Sequence, residues 1–252
     1  MLRRRAPIRN QLARLRGAIA KLTAGIPLGG ERVWPGTRND LFVAHVSVYR
    51  FFAGFAAGRR VLDAGCGLGY GSALLLEAGA RDVLGIDIEP ASIRYASRHF
   101  RRPGLRFSKE DLEELCLDAE SFDLIVSSNV LEHLHKPQRF FEVARQALGS
   151  TGELVIAVPP VVNPRLLEDN QANPHHVSNL TPEGWLALAS QAGFVARVYR
   201  HGHPRIEELD FSSHLPSRFR AEEFTFEEIS LSELFSSPTL SATFHFRPAA
   251  PE

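Results

Sequence analysis

The chain has 252 residues, 29 basic and 29 acidic side chains, and a formal net charge of zero, with 44% hydrophobic and 23% charged residues. These values describe a soluble globular protein with one sizeable core, and zero net charge offers no global electrostatic reason to expect nucleic acid as a partner. No apolar run approaches the roughly 20 residues of a membrane helix, no secretory h-region opens the chain, and Cys66 and Cys116 lack metal-ligand or disulfide spacing; a cytoplasmic location is expected.

The charge is unevenly placed, because seven basic residues (Arg3, Arg4, Arg5, Arg9, Arg14, Arg16 and Lys21) precede the first acid, Glu31. Residues 8–22 read as an amphipathic helix with Ile8, Leu12, Leu15, Ile19 and Leu22 on one face and basic residues on the other. Gly25, Pro27, Gly29 and Gly30 then mark a linker, and a second helix is expected over about 40–57. From Arg60 onward short apolar strands alternate with helical patterns. Strands are expected at 61–64, 83–88, 105–108, 124–128 and 154–158, with helices at 72–77, 91–100 and 137–148 and a short turn near 112–115. Thr181 is an N-cap for a further helix with Pro182 at its first position, followed by strands at 194–199 and 241–246. The segment between about 201 and 238 has no readable pattern.

This rhythm predicts an α/β fold, a doubly wound, mostly parallel seven-stranded sheet whose last strand pairs antiparallel at the edge. Residues 1–58 are expected to form a basic helix and cap segment, and residues 59–252 the main domain.

The strongest local signal is Val61-Leu62-Asp63-Ala64-Gly65-Cys66-Gly67-Leu68-Gly69, an apolar strand running into a glycine-rich turn and then a helix. Glycine there lets the backbone bend tightly and approach a ligand. The dinucleotide fingerprint G-x-G-x-x-G fails in either register, ending on Tyr70 from Gly65 and on Ser72 from Gly67. A phosphate loop is excluded because no Gly-Lys-Ser/Thr follows. About twenty residues on, Asp87 closes the second strand. A carboxylate at that place is suited to accept hydrogen bonds from both hydroxyls of a ribose, and its competing reading is a solvated acid at a strand end.

Asp63-x-Gly65-x-Gly67-x-Gly69 resembles the first motif of the class I S-adenosylmethionine-dependent methyltransferases, and the resemblance extends over about residues 31–194. It implies a Rossmann-like fold with S-adenosyl-L-methionine as cofactor. It further implies that the Gly65, Gly67 and Gly69 turn lies against the cofactor's amino acid part, with Asp63 helping to hold the ammonium group. By the same resemblance Asp87 binds the ribose, Ile88 flanks the adenine, Asp111 meets the adenine amino group and the Leu112 backbone meets the ring.

Phe122 to Leu134 resembles the family's fourth-strand motif. It places Asn129 near the methionine part, and Glu132 and His133 at the acceptor pocket. Quinone-pathway O-methyltransferases hold a divalent metal with a Glu-x-x-Glu-His group there. Asn129 replaces the first Glu, one hard ligand is lost, and no metal is expected. Asn173-Pro174-His175-His176-Val177 matches a loop of relatives, with His176 at the shared position. His133 and His176 are the two candidate catalytic bases; each also has a structural reading, His133 as a scaffold residue and His176 as a brace of its loop.

Glu31-Arg32-Val33-Trp34-Pro35, with His45, Tyr49 and Arg50, resembles the opening segment of bacterial glycan-pathway methyltransferases, where it caps the cofactor. The expected reaction is O-methylation of a small-molecule, sugar or lipid-linked acceptor. The basic segment at 8–22 is read first as part of the lid, then as a dimerisation helix, or as a peripheral contact with an anionic membrane. The alternatives to the methyltransferase reading are a nicotinamide-dependent oxidoreductase of the same fold and a non-catalytic cofactor-binding partner subunit.

Overall fold

The computed structural model describes residues 33–250 together with Arg14, Gly17, Ala18 and Lys21. Those four residues are helical; the rest of the basic segment at 8–22 and the glycine-rich linker lie outside the described residues.

The helix α1 (Asp40–Ala53) begins at Asn39, whose side chain accepts from the Phe42 amide and satisfies one of the first-turn donors. There follow β1 (Arg60–Ala64), α2 (Tyr70–Glu77), β2 (Asp82–Asp87), α3 (Pro90–His99), β3 (Leu105–Lys109), β4 (Leu124–Ser128), α4 (Pro137–Leu148) and β5 (Glu153–Val158). The chain continues through α5 (Pro164–Gln171), α6 (Pro182–Gln191), β6 (Phe194–Gly202), β7 (Thr225–Ile229), α7 (Leu231–Ser236) and β8 (Ala242–Pro248). Thr181 caps α6 as its sequence predicts, accepting from the Gly184 amide.

The strands form one sheet in the order β3-β2-β1-β4-β5-β8-β6-β7. The first five are parallel, and the order reverses between β1 and β4. Alternate residues along each strand enter separate cores. Leu62, Ile125 and Leu154 pack against α4 and α6, including Phe141 and Trp185. Val61, Leu124 and Val155 pack against α1 and α2, including Phe52 and Leu75. Both faces are thus covered, which is why the central strands are apolar on both sides.

Two features differ from the sequence-based expectation. The sheet has eight strands, because β7 forms within the segment that showed no pattern. The last strand is antiparallel as expected, but it is not at the edge: β8 runs between β5 and β6 and pairs with both. The edge belongs to β7. It is tied to α1 by Phe226, which stacks on Phe51 at 4.4 Å between ring centroids and on His201 at 4.5 Å. The helix α1 is therefore gripped by the far end of the chain, and Asp40 strengthens this by accepting from the Asp210 amide at 2.9 Å.

Candidate active site

The C-terminal ends of the parallel strands open into a cavity of about 560 Å³ at the point where the strand order reverses, the usual place for a ligand in an open α/β sheet. Its floor is the turn after β1. Gly65 has φ +81°, and a Cβ there would meet Val130 at 2.3 Å. Gly67 has φ +52°, and a Cβ there would meet no atom within 4 Å. The first glycine lets the turn close against the loop after β4. The second leaves room on the cavity side.

Of the residues singled out from sequence, Gly65, Gly67, Asp87, Ile88, Asp111, Leu112, Asn129 and His133 all line this one cavity. Asp87 is fixed by two backbone donors, with Oδ2 accepting from Gly67 N and Oδ1 from Glu89 N, both at 2.9 Å. Each oxygen keeps further acceptor capacity, and the carboxylate couples the end of β2 to the glycine turn. Asp111 is held by the Glu113 amide at 2.9 Å. Asn129 sits at φ +52° beyond β4, a conformation asparagine tolerates better than most residues.

Four of the singled-out residues are not in the wall, the buried Glu132 among them. Gly69 is the left-handed residue preceding α2 and packs towards Ala96 and Phe107. Asp63 is fully buried beneath the turn, where Tyr49 Oη donates to Oδ1 at 2.9 Å and Ser72 Oγ to Oδ2 at 2.5 Å. Burial pushes its carboxyl up to about 7, against the pull of those two donors. His176 gives its place in the wall to His175, while its own ring lies 5.1 Å from that of His133.

The wall also contains Val33 and His45, which the sequence placed in the capping segment without assigning them a site role, and Cys66. His45 on α1 spans the cavity's edge, with Nδ1 2.6 Å from Tyr70 Oη and Nε2 3.3 Å from Ser128 Oγ. Desolvation lowers its pKa to about 4, so the imidazole is neutral at pH 7 and adds no positive charge to the wall. A histidine with a tyrosine four residues on, both turned towards an apolar helix face, was the available sequence signal. Val33 lines the cavity from the segment before α1, and its neighbour Trp34 packs on Tyr95 at 5.7 Å. Cys66 is in the wall too, but burial raises its thiol pKa and keeps it protonated.

This lining fits an adenosyl compound with a cationic end. Acceptor carboxylates stand at the ends of β2 and β3 with an exposed Ile88 beside the first, and the lining after β4 adds the polar side chains of Ser128 and Asn129.

Comparison with known proteins agrees. Residues 62–156 match the family model described as a methyltransferase domain. A Mycolicibacterium smegmatis protein described as a probable S-adenosylmethionine-dependent methyltransferase is 34% identical over 175 residues, covering 69% of this chain and 67% of that protein. The phthiotriol/phenolphthiotriol dimycocerosates methyltransferase of Mycobacterium leprae is 33% identical over 106 residues, 40% of this chain and 39% of that protein. Among solved structures, an S-adenosylmethionine-dependent methyltransferase from Mesorhizobium loti superposes with a TM-score of 0.60 at 21% identity, covering 83% of this chain and all of the other, which is a likeness of fold. The nicotinamide and non-catalytic alternatives are set aside. The chain belongs to the S-adenosylmethionine-dependent methyltransferases and takes its methyl group from that cofactor.

Proposed function

We propose that the cavity holds the cofactor along the ends of β1 to β4 and delivers the methyl group to an oxygen of a small-molecule, sugar or lipid-linked acceptor entering beside His133. In this reading Asp87 accepts hydrogen bonds from the two ribose hydroxyls, Ile88 and Leu112 bracket the adenine, and Asp111 accepts from its amino group. Asn129 borders the methionine part. Asp63 works one layer back, where an ammonium group above the turn favours its ionised form. The observation that carries the reading is the convergence of Asp87, Asp111, Asn129 and His133, from the ends of three strands, on one cavity.

The cofactor supplies a methyl group on a positively charged sulfur. The protein's own tasks are then to align the acceptor, exclude water and handle the acceptor's proton. His133 Nδ1 lies 2.8 Å from the carbonyl oxygen of His175. A carbonyl only accepts, so Nδ1 carries the hydrogen and Nε2 the lone pair, the form in which an imidazole acts on a hydroxyl. His176, in edge contact with His133, is the second member of this proton-handling group.

A lipid-linked acceptor draws support from the printed name of the Mycobacterium leprae relative and from the acid-free basic segment that opens the chain, which suits an anionic lipid surface. Among the described residues no helix is long and apolar enough to cross a membrane. Deleting residues 1–24 should abolish co-flotation with anionic vesicles, and undiminished flotation would end the membrane part of the reading. For the reaction itself, S-adenosylhomocysteine release should be followed with hydroxylated glycans and lipids against amine acceptors. Turnover of amines alone would overturn the O-methylation assignment.

A further inference from the structure

Glu132, His133 and His176 meet although they stand on different loops. The first two belong to the 3-10 turn Leu131–His133 after β4, and His176 to the connection between α5 and α6. The backbone joins the two loops: Val177 N and Ser178 N both donate to Glu132 O at 2.9 Å, and Ser178 Oγ donates to Leu134 O at 2.5 Å. As a result one nitrogen or oxygen donor atom from each of the three side chains lies within 4.8 Å of the other two.

The hydrogen bonds around the histidines set their tautomers. His133 Nδ1 must carry its hydrogen to donate to His175 O. For His176 a short chain of amides decides. Asn179 Nδ2 donates to His176 O at 3.2 Å, which leaves Asn179 Oδ1 to accept from Asn170 Nδ2 at 2.6 Å. Asn170 Oδ1 then accepts from His176 Nδ1 at 2.5 Å. Both rings therefore donate Nδ1–H to a fixed oxygen, and in the neutral imidazole Nε2 is then the coordinating nitrogen. That is the outer-shell arrangement of metal-ligating histidines. Beside them stands the Glu132 carboxylate, 1% exposed, an anionic oxygen donor next to two imidazoles.

We propose that Glu132, His133 and His176 form a site for a divalent transition ion, zinc in the first instance, at the edge of the methyl-transfer cavity. Two imidazoles and one carboxylate are a borderline donor set, matched to zinc, iron, cobalt or nickel rather than to magnesium or calcium. This differs from the carboxylate-rich site that Asn129 weakens by removing one hard ligand, and it departs from the expectation of no metal. Zinc bonds of about 2.0–2.2 Å put tetrahedral ligand atoms about 3.4 Å apart, so modest side-chain rotation closes the set. Because His133 also lines the cavity, an ion here stands where an acceptor enters.

The inference deepens the O-methylation reading and rests on it for its chemical role. An acceptor hydroxyl on the ion is acidified. Its proton leaves to water, the oxygen–methyl bond forms as the sulfur–methyl bond breaks, and that bond's electron pair stays on sulfur. His133 then acts as a ligand rather than as a free base.

The test is titration of the chelator-treated full-length protein with Co²⁺, read by visible d–d absorption, with Zn²⁺ competing. One equivalent should bind. His176→Ala and Glu132→Gln should weaken binding at least about 100-fold, and Asn170→Ala, which touches no ion, about 10- to 100-fold. Calorimetry with S-adenosylhomocysteine reports folding of each variant separately. A wild-type protein that binds S-adenosylhomocysteine but gives no cobalt bands, or one whose cobalt affinity equals that of His176→Ala, overturns the metal site and leaves the cofactor reading standing. Metal uptake without any heat from S-adenosylhomocysteine would do the reverse.

Discussion

The phenol of Tyr49 donates to Oδ1 of Asp63 at 2.9 Å, joining the helix before the first strand to the carboxylate beneath the glycine turn. Both residues are buried. The ring of Tyr49 also fills the space beside Gly71, where a Cβ would stand 2.1 Å from Cζ. Helix α1, the turn after β1 and α2 are thereby one packed unit. Tyr49→Phe keeps the ring and removes only the donor. It should cost about 2 kcal/mol, the range for a buried hydrogen bond to a charged group, and lower Tm by about 4–8 °C for a chain of this size. Thermal unfolding checks it, and an unchanged Tm would show that Ser72 alone suffices for Asp63.

Asp87→Ala should weaken S-adenosylhomocysteine binding about 100-fold, which corresponds to about 2.7 kcal/mol. Two interactions are lost together: the ribose contacts proposed above, and the bond from Gly67 N that holds the turn. The carboxylate is only half-buried, so Tm should fall by a few degrees at most. Calorimetry showing wild-type affinity would remove Asp87 from the ribose site.

Gly65→Ala and Gly67→Ala should separate stability from binding. At Gly65 a methyl meets both positive-φ strain and Val130, and should cost about 2–4 kcal/mol. At Gly67 only the strain applies, about 1–2 kcal/mol, but the methyl enters the space left on the cavity side. The second variant should therefore retain most of its urea midpoint and lose most of its cofactor affinity. Equal loss of stability in the two variants would contradict this geometry.

Acid should destabilise the protein in a defined window. Burial depresses His45 from 6.5 to about 4 and His201 from 6.5 to about 3. As pH falls from about 6.5 towards 4, the unfolded chain takes up two protons that the native state refuses, and stability is lost. Asp63 opposes this. Its pKa is raised from 3.8 to about 7, so its contribution is greatest at low pH and is lost as pH rises through that interval. For these three groups the difference near pH 5 is about one proton, or about 1.4 kcal/mol per pH unit, and the depressed His245 and His214 add to it with the same sign. Asp63→Asn removes the opposing group, and its stability between pH 6 and 4.5 should fall more steeply, by about a further 1.4 kcal/mol per pH unit. Parallel urea midpoints for the two proteins across that range would refute the assignment.

The strands β1 and β2 beside the cavity were legible because each is a short, largely apolar run ended by a glycine or an acid, Gly65 and Asp87, and such runs record local backbone geometry and burial directly. The interval of about twenty residues between Gly65 and Asp87 was legible for a related reason. A strand, a turn and a helix of ordinary length bring the chain back to the same sheet end. The position of β8 was not legible, since nothing in Ala242–Pro248 distinguishes an edge strand from one inserted between β5 and β6. The segment 201–238 was unreadable because its order comes from distant partners, such as Phe226 between Phe51 and His201.

Sequence alone determined the doubly wound class, the glycine turn and the acids that follow β2 and β3, because these depend on periodicity and on short-range turn chemistry. Only the tertiary structure decided that Asp63 lies beneath the turn and out of the cavity, that His45 closes its edge, and that His176 meets Glu132 and His133. The reason is physical. A side chain's burial, protonation and partners are set by groups brought near from elsewhere in the chain, and no local pattern of residues carries that information.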